Sequence, residues 1–167
     1  MDIVYKKLSE KQSMIRVLFI CHGNICRSVG AQYIFDEMIR NAHLENEIFC
    51  ESAATSREEI GNPIYPPMRQ ALISHGVAIG DHRARQLRSD DYEQYDLLIG
   101  MDSENMYYMK HILGDDPEGK IHTLMEYTDT PDELIDDPWY TRDFETAYRL
   151  IKKGCSALFD SLQSDHE

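Results

Sequence analysis

The chain has 167 residues, 42% of them hydrophobic and 28% charged, which is the size and composition of one globular domain rather than a disordered chain or two independent domains. Its 17 basic residues against 30 acidic ones give a net charge of −13, which excludes a surface built to coat nucleic acid or an anionic membrane. The longest apolar run, Val17 to Cys21, is far shorter than the roughly 20 residues of a membrane span, and the opening MDIVYKKLSEKQSM lacks a secretory apolar core, so a cytoplasmic protein is expected.

Residues 1–13 read as a polar tail, and residues 14–167 as a single domain. The first strand is predicted over Ile15–Cys21, because apolar residues on consecutive positions suit a strand buried on both faces. A helix follows, with Ala31, Ile34, Phe35, Met38, Ile39 and Ala42 on one face. A second strand is predicted over Ile48–Ala54. Met68, Ala71, Leu72 and His75 mark a shorter helix ending at Gly76. The third strand is predicted over Tyr95–Met101. Met106, Met109 and Leu113 then mark a helix ending at Gly114, and Ile121–Leu124 is a weaker fourth strand. The polar stretch from Glu126 to Pro138 reads as a long loop of functional type. The last helix carries Phe144, Ala147, Tyr148, Ile151, Cys155, Leu158, Phe159 and Leu162 in one stripe. Strand and helix alternate four times, which implies an α/β fold: a four-stranded parallel sheet with helices on both faces, three layers in all.

In such folds ligands bind beyond the carboxyl ends of the strands. The first strand ends at Cys21, and Cys21-His22-Gly23-Asn24-Ile25-Cys26-Arg27-Ser28 leads into a helix. The backbone amides of such a turn, from His22 to Ser28, converge with the positive end of the helix dipole to form a nest for a tetrahedral anion. Arg27 adds a planar donor pair for two oxygens of that anion. The same field lowers a thiol pKa from about 8.5 to about 3.5–7.5, so Cys21 is expected to be a thiolate aimed at the phosphorus of a bound phosphate ester. Ser28 is placed to donate its hydroxyl to that sulfur. A metal site is not expected, because Cys21, His22 and Cys26 have no second pair of ligands at zinc spacing. No cofactor is expected either. Four cysteines in such a chain do not make a disulfide framework, and Cys50 and Cys155 read as core fillers.

Attack by the thiolate expels an alkoxide or phenoxide, which calls for a general acid. Asp137 is the best candidate on chemical grounds. Pro138 holds its backbone extended, and Trp139 and Tyr140 supply apolar pocket walls. Asp136 is the adjacent alternative, and Asp116 a distant one without aromatic neighbours.

The segment Val17 to Ser28 closely resembles the signature of the low-molecular-weight protein tyrosine phosphatases. Glu51–Ser56, His82–Gln86, Met101-Asp102 and Asp137–Tyr140 resemble further landmarks of that family, in order, from about Ile15 to the last helix. The resemblance implies a phosphotyrosine phosphatase working through a cysteinyl-phosphate, with Cys21 as nucleophile, Arg27 as phosphate ligand and Asp137 as acid and then base. It implies a tyrosine-phosphorylated protein or peptide as substrate, and a monomer or at most a weak dimer. It also implies a network under the loop in which Ser52 and His82 hold Asn24 beside Ser28, and a reversible disulfide between Cys26 and the nucleophile. Asp102 matches a landmark without an assigned role.

Four departures from the family pattern stand out. His22 replaces an apolar residue, Val29-Gly30 and Gln32 replace the usual types, and acidic Glu58 lies on the pocket rim where relatives carry an aromatic. Arsenate reduction on the same fold would need two further cysteines between Gly76 and Asp96, where none occurs. Phosphoarginine hydrolysis goes with a Thr where this chain has Ile25. A catalytically dead phosphate-binding or redox module is at odds with the intact Cys21, Arg27 and Asp137. The acidic excess between Asp115 and Glu145 is expected to flank the acid and to disfavour acidic peptides.

Overall fold

The computed structural model describes residues 14–164, so the polar tail read at 1–13 lies outside the described residues. Four strands, β1 (Ile15–Cys21), β2 (Ile48–Ala54), β3 (Leu97–Gly100) and β4 (Ile121–Thr123), form one parallel sheet in the order β2-β1-β3-β4. The principal helices are α1 (Arg27–Asn41), α2 (Pro66–Ser74), α4 (Ser103–Leu113) and α6 (Phe144–Ser164). Two short ones, α3 (Asp91–Gln94) and α5 (Pro138–Thr141), and a 3-10 turn over Leu124–Tyr127 complete the set.

Side chains alternate across the sheet, and the two faces carry separate cores. Val17, Phe19, Cys50, Leu97 and Ile99 pack with residues of α1, α2 and α6. Leu18, Ile20, Ala53 and Leu98 pack with Tyr92, Tyr95 and Met109 on the other face. The three-layer α/β architecture is therefore as the sequence implies. Phe19 and Phe35 meet edge to face, with ring centroids 5.4 Å apart, locking α1 onto the central strand.

The differences are local. The predicted third strand shortens to Leu97–Gly100, because the Tyr95 amide donates to Asp91 O at 3.1 Å and closes α3 instead of continuing the ladder. Leu124 leaves the fourth strand to open the 3-10 turn. Ala42 falls just past α1 and is exposed, while Tyr33 is buried on that helix instead. The stretch from Glu126 to Pro138 is irregular between the 3-10 turn and α5. Among the described residues, no helix is long and apolar enough to cross a membrane.

The 3-10 turn packs against α6 at a point with no spare room. A Cβ on Gly154 would lie 2.5 Å from Cγ of the fully buried Leu124. Gly154→Ala is therefore expected to destabilise the fold by about 1–3 kcal/mol despite the better helix propensity of alanine, read as a lower urea midpoint.

Candidate active site

β1 delivers Cys21 to the carboxyl edge of the sheet, and β2 holds it there: Thr55 N donates to Cys21 O at 2.9 Å. The chain then turns back on itself. Asn24 supplies the turn with a left-handed φ of 59°, which asparagine tolerates better than most residues. Helix α1 begins at Arg27, with Cys26 at its cap and no side-chain cap on its first amides. Those amides face the bend, as an anion site at a helix start requires.

The sulfur sits inside this bend. Cys21 Sγ lies 3.1 Å from Ser28 Oγ, and Ser28 N points at it from 3.4 Å. Asn24 Nδ2 donates to Ser28 Oγ at 2.8 Å, which occupies an oxygen lone pair and leaves the hydroxyl proton for the sulfur whenever Cys21 is a thiolate. Asn24 is in turn fixed from the segment after α2. Arg85 N donates to Asn24 Oδ1 at 3.1 Å, and His82 Nε2 donates to Asn24 O at 2.6 Å. Ser52 behaves differently from the sequence expectation: its hydroxyl donates to Gln32 Oε1 at 2.6 Å, so it braces α1 rather than Asn24. The glutamine that departs from the family pattern is thus the partner that captures it.

Arg27 is only 2% exposed, and its guanidinium is anchored from two distant places. Nη1 donates to Asp102 Oδ2 at 2.6 Å and to Ile135 O at 2.8 Å, while Nη2 lies 3.5 Å from Asp137 Oδ2. Burial opposes its charge, but Cys21, Asp102 and Asp137 outweigh that and push its pKa up. Asp102 also caps α4, accepting from Asn105 N at 2.8 Å. Its role is therefore to tie the arginine to the end of β3. The Ile135 carbonyl is a functional group that side-chain reasoning could not find.

A pocket of about 570 Å³, counting its open mouth, is lined by Cys21 to Arg27, Glu58, Glu59, Asp137, Trp139 and Tyr140. Ser28 lies beneath the loop, fully buried, rather than in the wall. Asp137 has extended backbone and accepts from Trp139 N through Oδ1 at 3.0 Å, leaving Oδ2 toward Arg27. Asp136 lines a separate cleft with Thr141, Asp143 and Thr146. Trp139 and Tyr140 are 46% and 79% exposed, standing over the mouth. Tyr65, unnoticed in the sequence, backs Trp139 at a ring distance of 4.9 Å, and its amide donates to Ile25 O at 2.8 Å. Glu59 is likewise new to the wall.

Cys26 shares the pocket, and burial, with the charges of Cys21 and Asp137, pushes its thiol up. Cys50 and Cys155 are buried in the core, where their thiols donate to Gln32 O and Ala31 O. Of the acidic segment, Asp137 lines the pocket, while Asp136 and Asp143 line the separate cleft. Asp116 is tied to Tyr92 OH and the amides of Lys120 and Ile121, at the start of β4 and so at the other end of the sheet.

The sequence matches the family model described as low molecular weight phosphotyrosine protein phosphatase over residues 16–167. The chain is similar to the low molecular weight protein-tyrosine-phosphatase YfkJ of Bacillus subtilis, at 36% identity over 92% of this chain and 99% of that protein. It is similar to the low molecular weight phosphotyrosine protein phosphatase of Gallus gallus, at 36% identity over 86% and 93% of the two chains. The crystal structure of YfkJ matches the fold with a TM-score of 0.90 at 35% identity, covering 94% of this chain and 99% of that one.

The burial of His82 makes stability depend on pH. Burial lowers its pKa below the ordinary 6.5, so below pH 6.5 the unfolded chain binds a proton that the folded chain resists. Stability from this group is complete above 6.5 and falls with pH until the folded value is reached. Urea midpoints between about pH 7 and pH 5 should show that loss, and His82→Gln, less stable throughout, should flatten the slope.

Proposed function

The chain belongs to the low molecular weight phosphotyrosine protein phosphatase family, and we propose that it hydrolyses phosphotyrosine in proteins through a phosphocysteine formed on Cys21. The observation that carries this reading is the convergence of Cys21, Arg27 and Asp137 on one pocket, with Asp137 Oδ2 3.5 Å from Arg27 Nη2. The phosphoryl group enters the bend, where the loop amides and Arg27 hold its non-bridging oxygens. The Cys21 thiolate attacks phosphorus, the S–P bond forms, and the P–O bond to the tyrosine breaks. Asp137 gives its proton to the departing phenolate oxygen. It then takes a proton from a water molecule, which attacks phosphorus and breaks the S–P bond. Inorganic phosphate leaves, and the Ser28 hydroxyl stabilises the returning thiolate.

Trp139, backed by Tyr65, offers a flat apolar wall for an aryl ring, which supports phosphotyrosine over alkyl phosphates. Under peroxide, a sulfenic acid on Cys21 would condense with the Cys26 thiol to a disulfide, releasing water and leaving a state that thiols reduce. The free, buried cysteines support a reducing cytoplasmic setting. The substrate reading takes the enzyme as a monomer.

Cys21→Ser is expected to lower para-nitrophenyl phosphate turnover at least about a thousand-fold while phosphate still binds, as measured by kinetics and phosphate titration. Asp137→Ala should slow phosphotyrosine peptides by about 10²–10⁴-fold, and para-nitrophenyl phosphate less, because its leaving group needs the proton less. The same pattern in Asp136→Ala instead would move the acid to that residue.

A further inference from the structure

His22 follows the nucleophile, yet the hydrolysis derived above makes no use of its imidazole. The structure gives that ring a different task. Nε2 lies 2.8 Å from Glu58 Oε2. Nδ1 faces Glu104 Oε1 at 3.6 Å, close enough for charge attraction but too far for a hydrogen bond, and it has no hydrogen-bond partner among the described residues. The two carboxylates come from separate parts of the chain, Glu58 from the segment after β2 and Glu104 from the first turn of α4.

The main chain of His22 grips the same segment as its side chain. His22 O accepts from Ser56 N at 3.1 Å and from Ser56 Oγ at 2.9 Å. Ser56 Oγ in turn accepts from Glu58 N at 3.3 Å. Glu58 and Glu59, thus held, form one wall of the phosphate pocket, with Asp137, Trp139 and Tyr140 forming another. That wall has little hydrophobic anchorage of its own: Arg57, Glu58 and Ile60 are exposed. A short exposed segment of this kind keeps its shape only through its polar ties. An apolar side chain at position 22 could supply none toward Glu58.

We propose that His22 is a positioning residue for substrate: by clasping Glu58 it fixes the wall at 56–59 and so sets how tightly an aryl phosphate is held, without entering the chemistry. Loss of the clasp adds an ordering cost to binding, because the wall must then be fixed by the substrate. The transition state gains nothing specific from the clasp, so KM moves and kcat does not.

The substrate side of this inference rests on the phosphatase reading, but the clasp can be read without turnover. Amide hydrogen exchange on the full chain compares wild type with His22→Leu, His22→Gln and Glu58→Ala. His22→Leu should speed exchange across 56–62 by roughly ten-fold while β1 is unchanged. Glu58→Ala should reproduce this, and serves alone if His22→Leu folds poorly. His22→Gln, whose amide can still donate toward Glu58, should restore most of the protection. On a phosphotyrosine peptide, His22→Leu should raise KM roughly three- to ten-fold with kcat nearly unchanged. The double variant His22→Leu/Glu58→Ala should be no worse than either single one. Unchanged exchange at 56–62, additive KM losses, or a fall in kcat at constant KM would each overturn the proposal. A wild-type protein that ignores phosphotyrosine peptides would overturn the phosphatase reading instead, and the exchange result would still decide the clasp.

Discussion

A guanidinium buried without partners costs several kcal/mol, and the site is built around meeting that cost for Arg27. Its Nη1 is held by a carboxylate at the end of β3 and by a carbonyl in the segment before α5. This one side chain therefore joins the loop after β1 to two parts of the chain that are remote in sequence. Both anchoring bonds fall on Nη1, which leaves Nε and Nη2 for the anion. Asp102 also starts α4, so the arginine is referenced to a helix as well as to the sheet. The carboxylate that faces Nη2, Asp137, is the group a leaving oxygen would meet.

This local arrangement resolves the apparent conflict between a net charge of −13 and an anionic substrate. Screening limits exposed surface charges to a reach of about 8–10 Å in ordinary salt, whereas a buried guanidinium and converging amides act at contact. The acidic segment is also divided by the fold. Asp116 helps to close the turn before β4, remote from the pocket, while Asp137 stands inside it. The carboxylates beside Asp137 in the pocket, Glu58 and Glu59, come from a different part of the chain altogether. Net charge therefore described the surface, and the site follows from the geometry of one turn.

The elements with a long apolar period were legible in the sequence. β1 and β2 have the ends expected of them, and the stripe along α6 is buried from Ala147 to Leu162 except at Phe159, which is partly buried. The loop after β1 was legible because a buried strand end, an asparagine that tolerates left-handed backbone and a helix start follow one another within eight residues. Three kinds of feature were not. The four-residue helices α3 and α5 are too short to show a period. The Ile135 carbonyl carries no side-chain signal, although it holds Arg27. Tyr65 and Glu59 carry no local motif, and only the fold brings them to Trp139 and the pocket mouth. Ser52 shows a fourth limit: which side chain its hydroxyl meets, here Gln32 of α1, depends on tertiary packing that local sequence does not carry.

In the proposed function, Cys21 and Arg27 share an anion nest whose arginine is already locked in place by Asp102 and Ile135. A crystal structure with bound vanadate tests this most directly, since vanadium adopts the five-coordinate geometry of phosphoryl transfer. Vanadium is expected to be bonded to Cys21 Sγ, with equatorial oxygens on the loop amides and Arg27, an apical oxygen facing Asp137, and the Arg27–Asp102 contact intact. Vanadate seated away from the sulfur, or Arg27 swung off Asp102 to reach it, would rule out a preformed nest shared by Cys21 and Arg27.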